Sequence, residues 1–148
     1  MGKYDGPNFD TKNDVVSVWI SQVNYSEIPD DYWTPDPSDE DEAPWDQFST
    51  DFGFGYYDND FVESFCQDDH SKATIYEQLK YLSYSQSFIE EVEQSARERE
   101  ISETSYVFLM YNFKYDTNIT KIEKSNYFIY LGTFDYDKDS EPCEVWTN

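Results

Sequence analysis

Between Asn13 and Ser71 the chain has not one lysine or arginine, while it carries 16 Asp and Glu residues. A surface of that kind repels phosphate, and with a formal charge of −22 over 148 residues the chain is excluded from unaided binding to nucleic acid or to an anionic membrane. No apolar run approaches the length of a membrane-spanning helix, and Met1 is not followed by a basic and then apolar leader. We therefore expect a cytoplasmic location. Cysteine is scarce. Cys66 and Cys143 lie far apart without metal-ligand spacing, so free thiols are expected and a single disulfide is the less favoured alternative. There is one histidine, His70, and no Gly-rich phosphate loop, HExxH, GxSxG or Cys–His pairing, which removes the common nucleophilic, metallohydrolase and nucleotide-binding signatures.

What the chain does have is rings. Aromatics make up 20% of it, with 14 Tyr, 11 Phe and 4 Trp. Disordered acidic chains lack aromatics, so this one is expected to fold as one domain with aromatic side chains supplying much of the buried area. The charge is concentrated in the first half. Residues 13–71 carry −16, Met1–Lys12 is neutral with two acids and two lysines, and Lys72–Asn148 carries −6 from 14 acids and 8 bases. No internal repeat is present.

The pattern "DVVSVWISQV" at 14–23 is β-branched and predicts a first strand. Residues 24–60 are rich in loops, broken by Pro29, Pro35, Pro37 and Pro44 and given turns by Gly53 and Gly55, with a short helix across Trp45–Asp51. "FVESF" at 61–65 predicts a short strand. Ile75, Leu79 and Leu82 sit at helical spacing within 73–82. A second helix follows, with Ser87 and Glu90 in capping-box positions, Phe88, Ile89, Val92 and Ala96 on the buried side, and Glu90, Glu91, Glu93 and Arg97 toward water. Residues 106–113 and 127–134 are apolar on both faces, as buried strands are, and the polar stretch 115–125 is expected to join them as an antiparallel hairpin. The acidic tail after Tyr136 is expected to lie over the surface. The fold class expected is α+β: a small antiparallel sheet with two helices packed on one face, in a single domain with long acidic loops.

Acidic clusters invite calcium, but the candidates are incomplete. Asp135, Asp137 and Asp139 open like an EF-hand loop, yet Ser140 stands where the turn glycine belongs and Trp146 where the bidentate Glu belongs. Residues 36–42 and 56–61 are no better completed, so no metal site is expected. A glycosidase needs two carboxylates across an aromatic cleft, and among 32 acids no pair stands out. His70, in "QDDHSK", is read as a surface residue. We expect no catalytic residues, no enzyme activity and no cofactor.

Trp19, Tyr106, Phe108, Phe128 and Tyr130 lie on predicted strands and are read as core. Trp33 and Trp45 differ, because they belong to "DDYWTPDPSDEDEAPWDQF" at 30–48, a Pro-rich run with no base. Either they pin loops to the domain or they anchor a partner, and carboxylates around an aromatic ring suit Lys and Arg. The expected partner-binding residues are Asp30, Asp31, Trp33, Asp39, Glu40, Asp41, Glu42, Trp45 and Asp46, with Asp58 and Asp60 second. A cationic protein is the natural complement, attracted quickly as well as tightly.

"VSVWIS" at 16–21, "DFGFGYYDNDFVESF" at 51–65, "YSQSFIEEV" at 84–92, "VFLMYNFKY" at 107–115 and "FIYLGTFDY" at 128–136 together resemble the immunity protein 22 family. The resemblance lies in the order and spacing of these pieces and sets an expected domain at 14–136, between an N-terminal segment 1–13 and an acidic tail 137–148. It implies a bacterial polymorphic toxin system, in which such a protein binds and neutralises the toxin encoded beside it. Nuclease toxins are common partners there. The residue-level reading agrees, since a nuclease needs a cationic groove that an acidic protein can occupy. The partner expected is thus a basic cognate toxin domain, with no direct nucleic acid or membrane contact and a monomeric or small homo-oligomeric chain. The alternatives are an acidic DNA mimic that inhibits another DNA-binding protein, a carbohydrate-active enzyme and a calcium-binding module.

Overall fold

The structure is a computed structural model that describes residues 13–34, 46–55 and 57–145. Ten regular elements follow in order: β1 (Val15–Ser21), α1 (Gln47–Phe52), β2 (Val62–Phe65), β3 (Ala73–Thr74), α2 (Ile75–Leu79), α3 (Ile89–Glu98), β4 (Glu103–Thr104), β5 (Tyr106–Tyr111), α4 (Thr117–Thr120) and β6 (Ile129–Asp135). The main sheet has four strands in the order β2-β5-β1-β6, every neighbouring pair antiparallel, and β3 pairs with β4 as a separate two-stranded ribbon. The fold is α+β, as the sequence predicts.

Both faces of the sheet are covered, and the strand alternation sorts side chains between them. Val16, Val18 and Ile20 of β1 join Val107, Leu109 and Tyr111 of β5 on one face, against Ile75 and Leu79 of α2 and Ile89, Val92 and Ala96 of α3. On the opposite face, Trp19 lies among Tyr106, Phe108, Met110 and Tyr130, covered by Phe48 and Phe52 of α1, Phe54, Tyr115 and Phe128. One core is largely aliphatic and roofed by helices. The other is aromatic and roofed by α1 and loops. Trp19 is fully buried, with five rings at 5.2–6.1 Å, most of them edge-on. Its Nε1 has no hydrogen-bond acceptor among the described residues, so packing alone fixes the indole.

The expected 106–134 hairpin does not form. Strands β5 and β6 both pair with β1, one on each side, and the connection between them crosses the aromatic face through α4. Strands β1 and β5, both apolar on their two faces, take the two interior positions of the sheet, where both faces are buried, and β6 takes the edge beside β1. The helix expected over 73–82 is shorter, because Ala73 and Thr74 pair with Thr104 and Glu103. Thr74 Oγ1 then accepts from Glu77 N and caps α2. The Ser87–Glu90 capping box is also absent. Ser87 donates to Tyr84 O and accepts from Asp137 N, and α3 begins after Phe88 without a side-chain cap. The predicted stripe of α3 does face the core, with Glu90, Glu91 and Arg97 exposed. The tail crosses the α2–α3 junction, Glu144 N donating to Lys80 O and Cys143 N to Ser85 Oγ.

Register in β6 depends on a bulge. Val18 faces Gly132 but Trp19 faces Tyr130, so Leu131 is the extra residue. The offset turns Tyr130 toward the aromatic core and Leu131 toward the helices. Gly132 has φ +147, and a Cβ there would lie 3.0 Å from Phe134 Cζ. Gly132→Ala is therefore expected to destabilise the protein by about 1–3 kcal/mol in urea unfolding, because backbone strain and a clash act together. An unchanged midpoint would mean that Phe134 gives way freely.

Candidate functional site

Two acidic turns meet at the edge of the aromatic core. The first follows a 3-10 turn at Tyr25–Glu27 and contains exposed Asp30 and Asp31. Tyr32 anchors it from inside, buried against Phe128 and Tyr127, with its hydroxyl donating to Asp51 Oδ2 at 2.9 Å. Trp33 is half-buried and stacks on Phe108 at 5.0 Å and 8°. The second is the 3-10 turn Asn59–Phe61, where Asp58 Oδ1 accepts from Asp60 N at 2.9 Å and Asp60 is exposed.

Between these turns opens a cavity of about 210 Å³, lined by Tyr25, Trp33, Asp46, Tyr57, Asn59, Val62, Ser64, Tyr106 and Phe108. Four of the lining rings form two pairs, Trp33 on Phe108 and Tyr25 on Tyr106, the latter at 4.9 Å. Asp46 is the one carboxylate among the described lining residues, and it is only 5% exposed. It was expected on the surface, and it stands instead at the start of α1. Its Oδ1 accepts from Ser49 N at 2.9 Å, Ser49 Oγ accepts from Asp46 N at 3.1 Å, and its Oδ2 accepts from Tyr57 hydroxyl at 2.5 Å. The helix closes on Gly53 at φ +82, whose N–H reaches back to Thr50 O. Burial pushes the Asp46 carboxyl above its ordinary range, opposed by the Tyr57 and Ser49 bonds.

Of the remaining sequence candidates, Asp39, Glu40, Asp41, Glu42 and Trp45 lie outside the described residues. The structure brings Trp33, Asp46 and the 58–60 turn to one cavity, with Asp30 and Asp31 on the same turn as Trp33. Sequence reasoning missed Ser64 and Tyr106 as walls, since a strand side chain that lines a cavity has the same pattern as one in the core, and missed Tyr25 because a ring in a short turn carries no periodic signal. Val62 also lines a second cavity of about 280 Å³, together with Asp60, Glu63, Tyr84, Tyr111 and Tyr136. There Glu63 accepts from Ser83 N, Ser83 Oγ and Tyr111 hydroxyl at 2.7–2.9 Å, and Tyr84 and Asn112 hold positive φ at 63 and 60. Among the described residues no Lys or Arg lines either cavity.

A glycosidase would need a second carboxylate facing Asp46 across the aromatic cavity, and the described lining has none. Cys66 is a free thiol that burial and Asp69 push up to about 11, which leaves it protonated and poorly nucleophilic at neutral pH. His70 is exposed, with Nδ1 3.2 Å from Ser26 Oγ. Among the described residues no group of three or more His, Cys, Asp or Glu is placed to hold a metal ion, and no helix is long and apolar enough to cross a membrane. The arrangement is one of anionic turns around an aromatic cavity with a buried carboxylate.

Comparison with known proteins identifies the family. The family model named Immunity protein 22 matches residues 16–137, and the chain belongs to this family. No curated protein and no solved structure matches the chain. Membership points to a toxin-neutralising role through binding of a cognate toxin, in a family that is generally non-enzymatic.

Two outcomes follow from the site's titrating groups. Folded Asp46 holds its proton to higher pH than unfolded Asp46, so its contribution to stability declines as pH rises from about 4 into the folded titration. Relative to the parent chain, Asp46→Asn is expected to gain stability from pH 4.5 to pH 7 in paired urea titrations; a constant difference would contradict the shift. Burial also raises Tyr32, Tyr57, Tyr106, Tyr111 and Tyr130. Above pH 10 the unfolded tyrosines lose protons that the folded ones keep, so each removes about 1.4 kcal/mol per pH unit. Steep alkaline unfolding just above pH 10, shallower in Tyr57→Phe, is the expected result.

Proposed function

We propose that this chain is a cytoplasmic immunity protein that neutralises a basic toxin domain, a nuclease by preference, through the acidic and aromatic surface around the 29–34 and 58–61 turns. The observation that carries the reading is the meeting of two anionic turns at an aromatic cavity whose described lining includes no cation. A nuclease must present Lys and Arg to the phosphates of its substrate, and those cations are complementary to Asp30, Asp31, Asp58 and Asp60. Asp39, Glu40, Asp41 and Glu42, outside the described residues, belong to the same base-free stretch of the sequence. Steering by that field accelerates capture, and the aromatic walls supply apolar area that phosphate mimicry alone lacks.

The test is the toxin domain encoded beside this chain. Purified immunity protein is expected to suppress its nucleic acid cleavage at near-stoichiometric ratio. Changing Asp30, Asp31, Asp58 and Asp60 together to Asn is expected to slow association about tenfold at low salt and to flatten the salt dependence. Full toxin activity in the presence of excess protein would overturn the reading. An association rate untouched by the four changes would remove these turns from it.

A further inference from the structure

We infer that the 210 Å³ cavity is a socket for one arginine side chain of the partner protein, with the guanidinium held between aromatic walls and the Asp46 carboxylate. In taking the toxin as the source of that arginine, the inference rests on the function proposed above; the socket itself rests on geometry.

The cavity is smaller than the roughly 300 Å³ at which small-molecule sites begin, so it suits the end of a single side chain. Its charge selects a cation. Asp46 is 95% removed from solvent, as its 5% exposure requires, and its two described partners are a backbone amide and a tyrosine hydroxyl, both neutral. A buried carboxylate without a cation is costly, and a cation entering the cavity offsets that cost. The carboxylate has about four acceptor positions, of which these two bonds use two. Ser64 and Asn59 add polar atoms at the lining.

The walls select arginine over lysine. Trp33 and Phe108 lie nearly parallel and Tyr25 sits beside Tyr106, so ring faces and edges are already fixed before anything binds. A planar, weakly hydrated guanidinium stacks on such rings and pairs with a carboxylate at the same time, whereas an ammonium remains a strongly hydrated point charge. The exposed acids of both turns exclude an anionic occupant.

The experiment is an amide and indole NMR titration of the full chain with N-acetyl-arginine amide. Its neutral isostere N-acetyl-citrulline amide, N-acetyl-lysine amide and N-acetyl-phenylalanine amide serve as comparisons. Saturable shifts are expected at the Trp33 indole N–H and at the Ser49 and Ser64 amides, with at least fivefold weaker binding for citrulline and lysine. Asp46→Asn keeps an N-cap acceptor for Ser49 while removing the charge, and is expected to abolish the arginine preference. If the spectrum of that variant shows unfolding, Trp33→Leu takes its place and is expected to weaken arginine binding at least fivefold. Equal response to arginine and citrulline, tighter binding of phenylalanine, or an undiminished arginine preference in the folded variants would overturn the socket. A chain that suppresses its toxin but ignores arginine amide loses the socket and keeps the proposed function. One that binds arginine amide but never suppresses the toxin does the reverse.

Discussion

An acidic half-chain without lysine or arginine cannot be held together by local ion pairs, and that constraint organises the rest of this structure. Among the described residues of 13–71, neutral donors hold three carboxylates at the edges of the core instead. Asp46 is held by Tyr57 and the Ser49 amide, Asp51 by Tyr32, and Glu63 by Tyr111 and Ser83. Bonds from neutral donors to an ionised acceptor are among the stronger hydrogen bonds, so they fix loops well. They also leave the negative charge in place. An ion pair such as Lys80–Glu144 at 3.6 Å, found in the less acidic half, cancels the charge it organises. Tyrosine hydroxyls allow loops to be both rigid and anionic.

The tyrosines that donate these bonds are held in turn by the sheet. β1 divides the interior into an aliphatic layer under α2 and α3 and an aromatic layer under α1 and the loops. Tyr57 and Tyr32 reach their carboxylates from the aromatic layer, where Phe48 and Phe128 pack against them, while Tyr111 reaches Glu63 from the helix side. The bulge at Leu131 keeps Tyr130 in the aromatic layer, where its hydroxyl meets Thr133 Oγ1 and the carbonyl of Tyr115. The placement of the acidic turns thus traces back through rings to strand register.

Much of this was legible in the sequence because strand and helix periods are local properties. "VSVWIS" announces a strand buried on both sides, and Phe88, Ile89, Val92 and Ala96 announce the face of α3. Order within the sheet is not local. Strands 106–111 and 129–135 are near neighbours in sequence, yet the distant β1 lies between them, a pairing that depends on contacts far apart in the chain. The Ser87–Glu90 signature failed because Ser87 has a tertiary partner, Asp137 N, that sequence spacing cannot reveal. At the site, composition pointed to acids and tryptophans. It could not separate Asp46, which is inside and capping, from Asp30 and Asp31, which are outside, because burial of one carboxylate in a run of acids depends on the ring that covers it.

That separation gives the two kinds of acid different physical work. Exposed carboxylates act over distances near the Debye length and are weakened by salt, so in the proposed complex they would govern how fast a cationic partner arrives. A buried carboxylate is screened much less and acts only on a group that enters its cavity, so in the proposed complex it would govern how long the partner stays. Both kinds depend on loops already fixed before contact. A disordered acidic segment of equal charge would attract as strongly at long range, but ordering it on binding would consume much of the energy gained. The aromatic layer spends that ordering cost during folding. The self-repulsion of so many like charges is tolerable here because the rings, and not the charges, hold the chain together.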